Sequence, residues 1–267
     1  MSMGRFLLKR SLQGILVIWG VVTVVFLLRF ISPGNPITVI APLDAGPQLK
    51  RQIARELGLN QPIYVQYFQY LWELLHGDMG YSYISGTQAS SRVFSKLPAT
   101  LELAVAATIV AVVLSIPLGV VSATHRHEPA DYAATTFSLA GISTPNFWLG
   151  IMLVLVLAVG GPFPTSKRPI GIAPAVAMLL TEGTLSGLAN WLWHIALPAV
   201  TLGTYFTALV TRLTRSGMLD ELGKTYIRAS RAKGLPETLV RYKHALRNTL
   251  IPVITVLGLQ LGTLIGG

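Results

Sequence analysis

Two groups of residues in this chain have types and spacing that could do chemistry. Gly223-Lys224-Thr225 has the ending of a phosphate-binding loop, in which backbone amides cradle phosphates and the lysine reaches the outer ones. The full pattern, G-x-x-x-x-G-K-[ST], needs glycine at 218. The chain has Met218, Gly217 falls one residue early, and no strand is predicted before it. Nucleotide binding is rejected. His125, His127, Glu128 and Asp131 lie together in HRHEPAD and are ligand types that suit zinc. H-x-H in a short polar loop is more simply a solvated turn, so neither a metal nor a cofactor is expected. No G-x-S-x-G, H-E-x-x-H or paired-Asp motif occurs, and no catalytic residue is assigned.

A third group is electrostatic. Between Arg212 and Arg247 stand nine Lys and Arg against three acids, Asp220, Glu221 and Glu237. Glu221 to Lys233 is rich in helix formers, and Gly234 ends that run as a C-terminal cap would. Pro236 suits the first turn of a new helix, with Leu239, Tyr242 and Leu246 as its apolar positions. The segment therefore predicts a helix, a sharp corner, and a helix leading into an apolar run. Such an element can dock a soluble partner, or it can lie on anionic lipid. Its own geometry leaves both open.

The elements that must position it are membrane spans. The 267 residues are 52% apolar and 12% charged, with a mean hydropathy of +0.57; soluble domains carry about 25% charge. Five runs of membrane-crossing length are predicted, roughly 11–31, 99–123, 134–160, 191–211 and 249–267. No small-x-small site follows Ile15–Leu28, so the first run is a retained span and not a cleaved signal. With the N-terminus inside, thirteen basic residues fall on the cytoplasmic side and seven outside, and Arg29 snorkels at a span end. Glu102 and His194 are read as shallow, snorkelling residues, and no buried acid–base chain of a proton-driven carrier is seen. The absence of cysteine excludes disulfides and thiolate chemistry.

The region divides as 1–98, a first span with an external helical part, and 99–267, a core whose basic loop lies near 212–248. In the external part, Gln48–Leu57 is amphipathic, and the aromatic-rich stretch after Pro62 is too short to span. It is either a lid on the outer membrane face or a contact surface for an external partner. Gly258, Gly262 and Gly266 form a G-x-x-x-G ridge for helix packing. Pro117-Leu118-Gly119 and Ser143-Thr144-Pro145-Asn146 interrupt the second and third spans, which makes Pro117, Thr144, Pro145 and Asn146 helix-break and pathway candidates.

The run from Ala208 to Thr255, which contains YIRASRAKGLPETLVRYKHALRNTL, resembles the permease subunits of binding-protein-dependent ABC importers, and most closely the first permease of the dipeptide/oligopeptide/nickel branch. That family carries an E-A-A-x-x-x-G loop whose helix sits in a groove on the ATPase. Ala229 and Gly234 match it, Arg228 replaces the acid and Ser230 the second alanine, while Arg247 stands where the broader superfamily has proline. Glu56-Leu57-Gly58-Leu59, Gly77-Asp78-Met79-Gly80, Leu97–Leu103, Ile116–Gly119, Pro145–Gly150 and Leu197-Pro198-Ala199 extend the resemblance over nearly the whole chain. It implies an all-α membrane helix bundle of the type I importer fold, with Tyr226, Arg228, Ala229, Ser230, Arg231, Ala232, Lys233, Gly234 and Leu235 coupling to the ATPase. It implies a pore-forming, non-enzymatic subunit for di- or oligopeptides in the prokaryotic inner membrane, with nickel or sugar oligomers as alternative cargo. The expected partners are a second permease, two ATP-binding subunits, an external binding protein and the bilayer, with no nucleic acid. The family adds a further span after the fifth, so truncation before that span is expected. The rival reading is a secondary carrier or channel that works without ATPases.

Overall fold

The computed structural model describes residues 3–31, 37, 41, 45–82, 86–165 and 168–266. Among them regular structure is helical, apart from a small antiparallel hairpin of β1 (Tyr81–Ser82) and β2 (Thr87–Gln88). The chain divides into two units, one up to Ser95 and one from Lys96 onward.

The first unit holds α1 (Met3–Ile31), α2 (Pro47–Glu56) and α3 (Ile63–Leu75). At 1.5 Å per residue α1 is about 43 Å long, enough to cross a bilayer core with some tilt. Only Phe26 of α1 is buried, which is the pattern of a helix whose solvent is lipid. The cover on Phe26 comes from α3: Tyr67 lies edge-on at 5.2 Å and Tyr70 stacks at 5.6 Å. The hydroxyls of Thr23 and Tyr67 are 2.7 Å apart, fixing the register of α3 on α1. The aromatic stretch is thus tied to its own span through one face, while Tyr64, Phe68 and Trp72 stay exposed on the other.

The second unit is built around one long helix. Its elements are α4 (Ala89–Thr124, entering from the first unit), α5 (Pro129–Ser143), α6 (Asn146–Leu153, continued by wider π-type turns over Val154–Val159), α7 (Ile172–Glu182), α8 (Ser186–Leu222), α9 (Thr225–Ala232) and α10 (Leu246–Gly266, entered through π-type turns at Leu239–Ala245). Helices α5, α6, α7 and α10 all pack on α8, and α4 meets it at backbone distance. A Cβ placed on Gly203 of α8 would stand 2.7 Å from the Ala107 carbonyl oxygen of α4. On α5, a Cβ at Gly141 would stand 2.7 Å from the Thr204 carbonyl oxygen. Small residues at such points let helices gain dispersion contacts in a solvent that supplies no hydrophobic drive.

Four helices are long and apolar enough to cross a membrane, and α5 with α6 makes a fifth when that bent pair is counted as one. Two features differ from expectation. The helix does not break at Pro117: α4 runs without interruption through both Pro98 and Pro117. A proline removes one intrahelical bond, and packing against a neighbour can hold the helix across it. The third span, by contrast, turns by 101° between Ser143 and Asn146. Thr144 is extended there (φ −91°, ψ 121°), as expected of a residue preceding proline, and α6 restarts behind Pro145. The sequence reading also passed over α7, an eleven-residue apolar helix.

Gly203→Leu forces a side chain into the α4 backbone, a defect that costs about 1–3 kcal/mol or more. Thermal unfolding of the purified chain in detergent is expected to show a lower midpoint for this variant. Gly20→Leu, where a Cβ meets nothing within 4 Å, is expected to unfold like the parent.

Candidate functional site

The basic segment folds into a corner with an interlocked framework. Helix α8 extends past the predicted span to Leu222, so Gly223-Lys224-Thr225 is the hinge between α8 and α9. Lys224 is extended (φ −73°, ψ 152°) and its ammonium meets Glu221 at 2.5 Å. At the far end of α9, the Gly234 N–H donates to the Arg231 carbonyl at 2.9 Å and the Leu235 N–H to the Ser230 carbonyl at 3.3 Å. That pair of bonds is a Schellman cap, and it requires the positive φ of +75° that Gly234 supplies.

Side chains then fix α9 to its neighbours. Ile227 is fully buried against Val120 and Ala123 of α4, Met218 of α8, and Val240 and Ala245 beyond the corner. The Tyr226 hydroxyl donates to Glu221 at 2.6 Å and accepts from the Asn248 amide at 2.9 Å. Burial pushes that phenol up from its ordinary range, and its bond to Glu221 acts in the same direction. Glu237 accepts from Arg231 at 2.7 Å and pairs with Arg241 at 3.4 Å, across the turn that Gly234 makes. The Arg231 bond, with smaller help from Arg241, holds the Glu237 carboxyl below the usual range. What α9 presents outward is small and basic: Arg228, Ala229, Ala232 and Lys233 are all exposed, while Ser230 and Leu235 are half-buried.

Beyond the corner, of the expected apolar set Leu246 packs on the Ile227 cluster and Leu239 is half-buried, but Tyr242 is corrected. Val240 and Ala245 are the buried residues, and Tyr242 is 57% exposed. The turns there are π-type, so the inward face recurs at five residues instead of three or four. Ile227, the key to the seat of α9, was also not singled out. It is the lone large aliphatic residue in TYIRASRA, and that was the available signal.

Two carboxylates prove to be structural ties. Asp131, grouped from sequence with possible zinc ligands, is buried at the start of α5. It accepts from Arg215 Nε at 2.9 Å and Nη2 at 2.8 Å, from the Ser122 hydroxyl, and from the His127 amide at 3.0 Å. Among the described residues no group of three or more His, Cys, Asp or Glu is arranged to hold a metal. Glu102, read as a snorkelling residue, instead gathers Arg168, the Ile172 amide at 3.1 Å and Trp191 Nε1 at 2.8 Å. It joins α4 to the start of α7 and to α8. At the break in the third span, the Thr144 hydroxyl is taken up by the Ala140 carbonyl at 2.8 Å, whereas buried Asn146 Oδ1 has no hydrogen-bond partner. The glycines of the α10 ridge, Gly258, Gly262 and Gly266, have nothing within 4 Å of where a Cβ would sit.

A helical membrane bundle with an ordered basic corner between its last two long helices describes a class, the permease. Residues 115–267 match the family described as binding-protein-dependent transport system inner membrane component, and residues 3–104 match the N-terminal part of such a component. The chain belongs to this family, the permeases of ABC importers. It is 39% identical to the oligopeptide transport system permease protein AppB of Bacillus subtilis, over 99% of this chain and 81% of that protein. It is 37% identical to the dipeptide transport system permease protein DppB of Escherichia coli K12, over 98% and 81%. With the glutathione transport system permease protein GsiC of Salmonella choleraesuis it shares 36% identity over 98% and 79%.

Ile227→Ala empties the seat of α9 at a cost of about 2–5 kcal/mol. Amide hydrogen exchange is expected to accelerate across Thr225–Ala232 in this variant. Arg228→Ala, on the exposed face, is expected to leave that exchange unchanged.

Proposed function

We propose that this chain is the membrane-spanning subunit of an ATP-driven importer for di- or oligopeptides. It would pair with a second, similar permease to form the pore, with two ATP-binding subunits on the cytoplasmic side and a binding protein outside. The N-terminus and the α9 corner would lie in the cytoplasm, following the excess of basic residues there. The residues assigned to ATPase coupling are Tyr226, Arg228, Ala229, Ser230, Arg231, Ala232, Lys233, Gly234 and Leu235. Peptide cargo is supported by the relatives, whose names specify oligopeptide, dipeptide and glutathione transport.

The observation that carries the reading is the construction of α9. An eight-residue helix is too short to be stable alone in water. Here it is capped, anchored by Ile227 and braced by Tyr226 and Arg231, yet its other face is free. That is the form of a rigid knob for a groove on a soluble partner. ATP-driven closure of the partners would push the knob and tilt the spans from inward-open to outward-open, and hydrolysis would reset them. The binding protein must then prefer the outward-open state, since a ligand shifts only what it binds differentially.

For the pathway, the reading assigns Thr144, Pro145 and Asn146 at the break of the third span, and Pro117 beside the α8 seam. Gly258, Gly262 and Gly266, which meet nothing within 4 Å among the described residues, would receive another helix. A carrier working alone would need a free membrane-depth charge, whereas Asp131 and Glu102 are both held by arginine.

Pull-down from native membranes in mild detergent tests the assignment. The parent chain is expected to recover an ATPase and a second permease. An Ala229→Glu, Gly234→Val double variant is expected to lose the ATPase and keep the permease. A single-component preparation that still transports peptide would overturn the reading.

A further inference from the structure

Buried Asp131 and half-buried Arg215 form an ion pair one to two helical turns from the seat of α9, on the same end of the unit. Arg215 stands one turn before Met218, which packs directly under Ile227. Ser122, the third member, follows Val120 and precedes Ala123 on α4, and both of those also line the seat. So the floor beneath α9 and the Asp131 cluster are built from the same turns of α4 and α8. Helix α5 contributes nothing to the seat itself. Helix α5 packs along α8, and its charged tie at that end, among the described residues, is Asp131.

The cluster is assembled at a cost that packing alone would not require. Asp131 is 4% exposed, and its two oxygens take bonds from both arms of one guanidinium, a hydroxyl and a backbone amide. The amide comes from His127, whose φ of +65° is a left-handed conformation that a histidine seldom adopts. Burying the carboxylate of such a pair gives little net stability compared with an apolar residue of the same shape. What the fork-to-fork geometry does give is a fixed distance and angle between two helices. Fourteen residues along the chain from Asp131 comes Pro145, where the span turns by 101° into α6.

We propose that Asp131, through Arg215, is a positioning residue that carries displacement of the α9 seat into the broken α5–α6 span. With the pair intact, α8 and the start of α5 move together, so a push on α9 reaches the break at Thr144-Pro145. Without it, α5 still packs on α8 near Gly141, but its start is no longer held in fixed register to the seat, so less of the push reaches the break. This rests on the importer reading above, and it adds a second contact through which the transmembrane part responds.

The test uses the full chain within its native complex, purified and reconstituted into liposomes, with tritiated dialanine and trialanine as probes. ATP hydrolysis, uptake and the thermal midpoint of the complex are measured together. Asp131→Asn leaves the guanidinium unpaired, so a lower midpoint and a fall of about tenfold or more in uptake per ATP are expected, within the usual span of coupling between sites. Combining it with Arg215→Gln removes the unpaired charge, and the midpoint is expected to recover. Uptake per ATP is expected to stay low, because a neutral pair restores stability but not the rigid fork. A double variant that recovers both, or a single variant that loses neither, would show the pair to be structural only and would overturn the proposal. A parent complex that takes up peptide without hydrolysing ATP would instead overturn the importer reading, and the positioning role with it.

Discussion

Everything in the second unit depends on how closely helices can approach α8. In lipid the apolar surface of one helix gains nothing by leaving solvent, because the solvent is as apolar as the helix. Association then rests on dispersion contacts at short range and on polar ties. Gly203 and Gly141 provide the first by letting the α4 and α5 backbones touch that of α8. Thr207, Thr211, Thr214 and Ser115 line the same seam with small, buried, polar side chains. Larger residues at these places would hold the helices apart and remove the frame on which α9 is mounted.

The two carboxylate ties act at different places along that frame. Glu102 joins α4 to the start of α7 and to α8 through Arg168, the Ile172 amide and Trp191. Asp131 joins α4, α5 and α8 near the α9 corner. A carboxylate within a membrane helix is costly unless it is paired and saturated with donors. Both are saturated, and each donor set draws on several separate elements. Such sites specify an arrangement more than they stabilise it.

Helix α9 shows how a short helix becomes rigid. Its eight residues have too few internal bonds to persist alone. The Schellman cap at Gly234 satisfies its last carbonyls, Ile227 fills a closed apolar seat, and Tyr226 ties it to Glu221 and Asn248. Its basic charge, conspicuous in the sequence, is only partly outward. Arg231 is spent on Glu237 and Lys224 on Glu221, which leaves Arg228 and Lys233 on the free face.

The sequence by itself determined the class and the rough layout. Long apolar runs, the asymmetry of basic residues and the helix–glycine–proline corner are local or additive signals, so hydropathy and capping chemistry report them directly. The corner at Gly234 was legible because only glycine suits that backbone. What the sequence did not reveal were properties that exist only when distant segments meet. Asp131 looked like a loop ligand, since its partner Arg215 lies 84 residues away and was counted as one more loop charge. Glu102 looked shallow because Arg168 and Trp191 reach it only when α4, α7 and α8 assemble. Pro117 and Pro145 read alike as breaks, yet only Pro145 breaks its helix. Close packing against α8 supports the backbone around Pro117, whereas Thr144, directly before Pro145, takes the extended conformation. Val240 and Ala245 face inward because π-type turns change the period, a choice made by the packing of the corner and not by the pattern of residues along it.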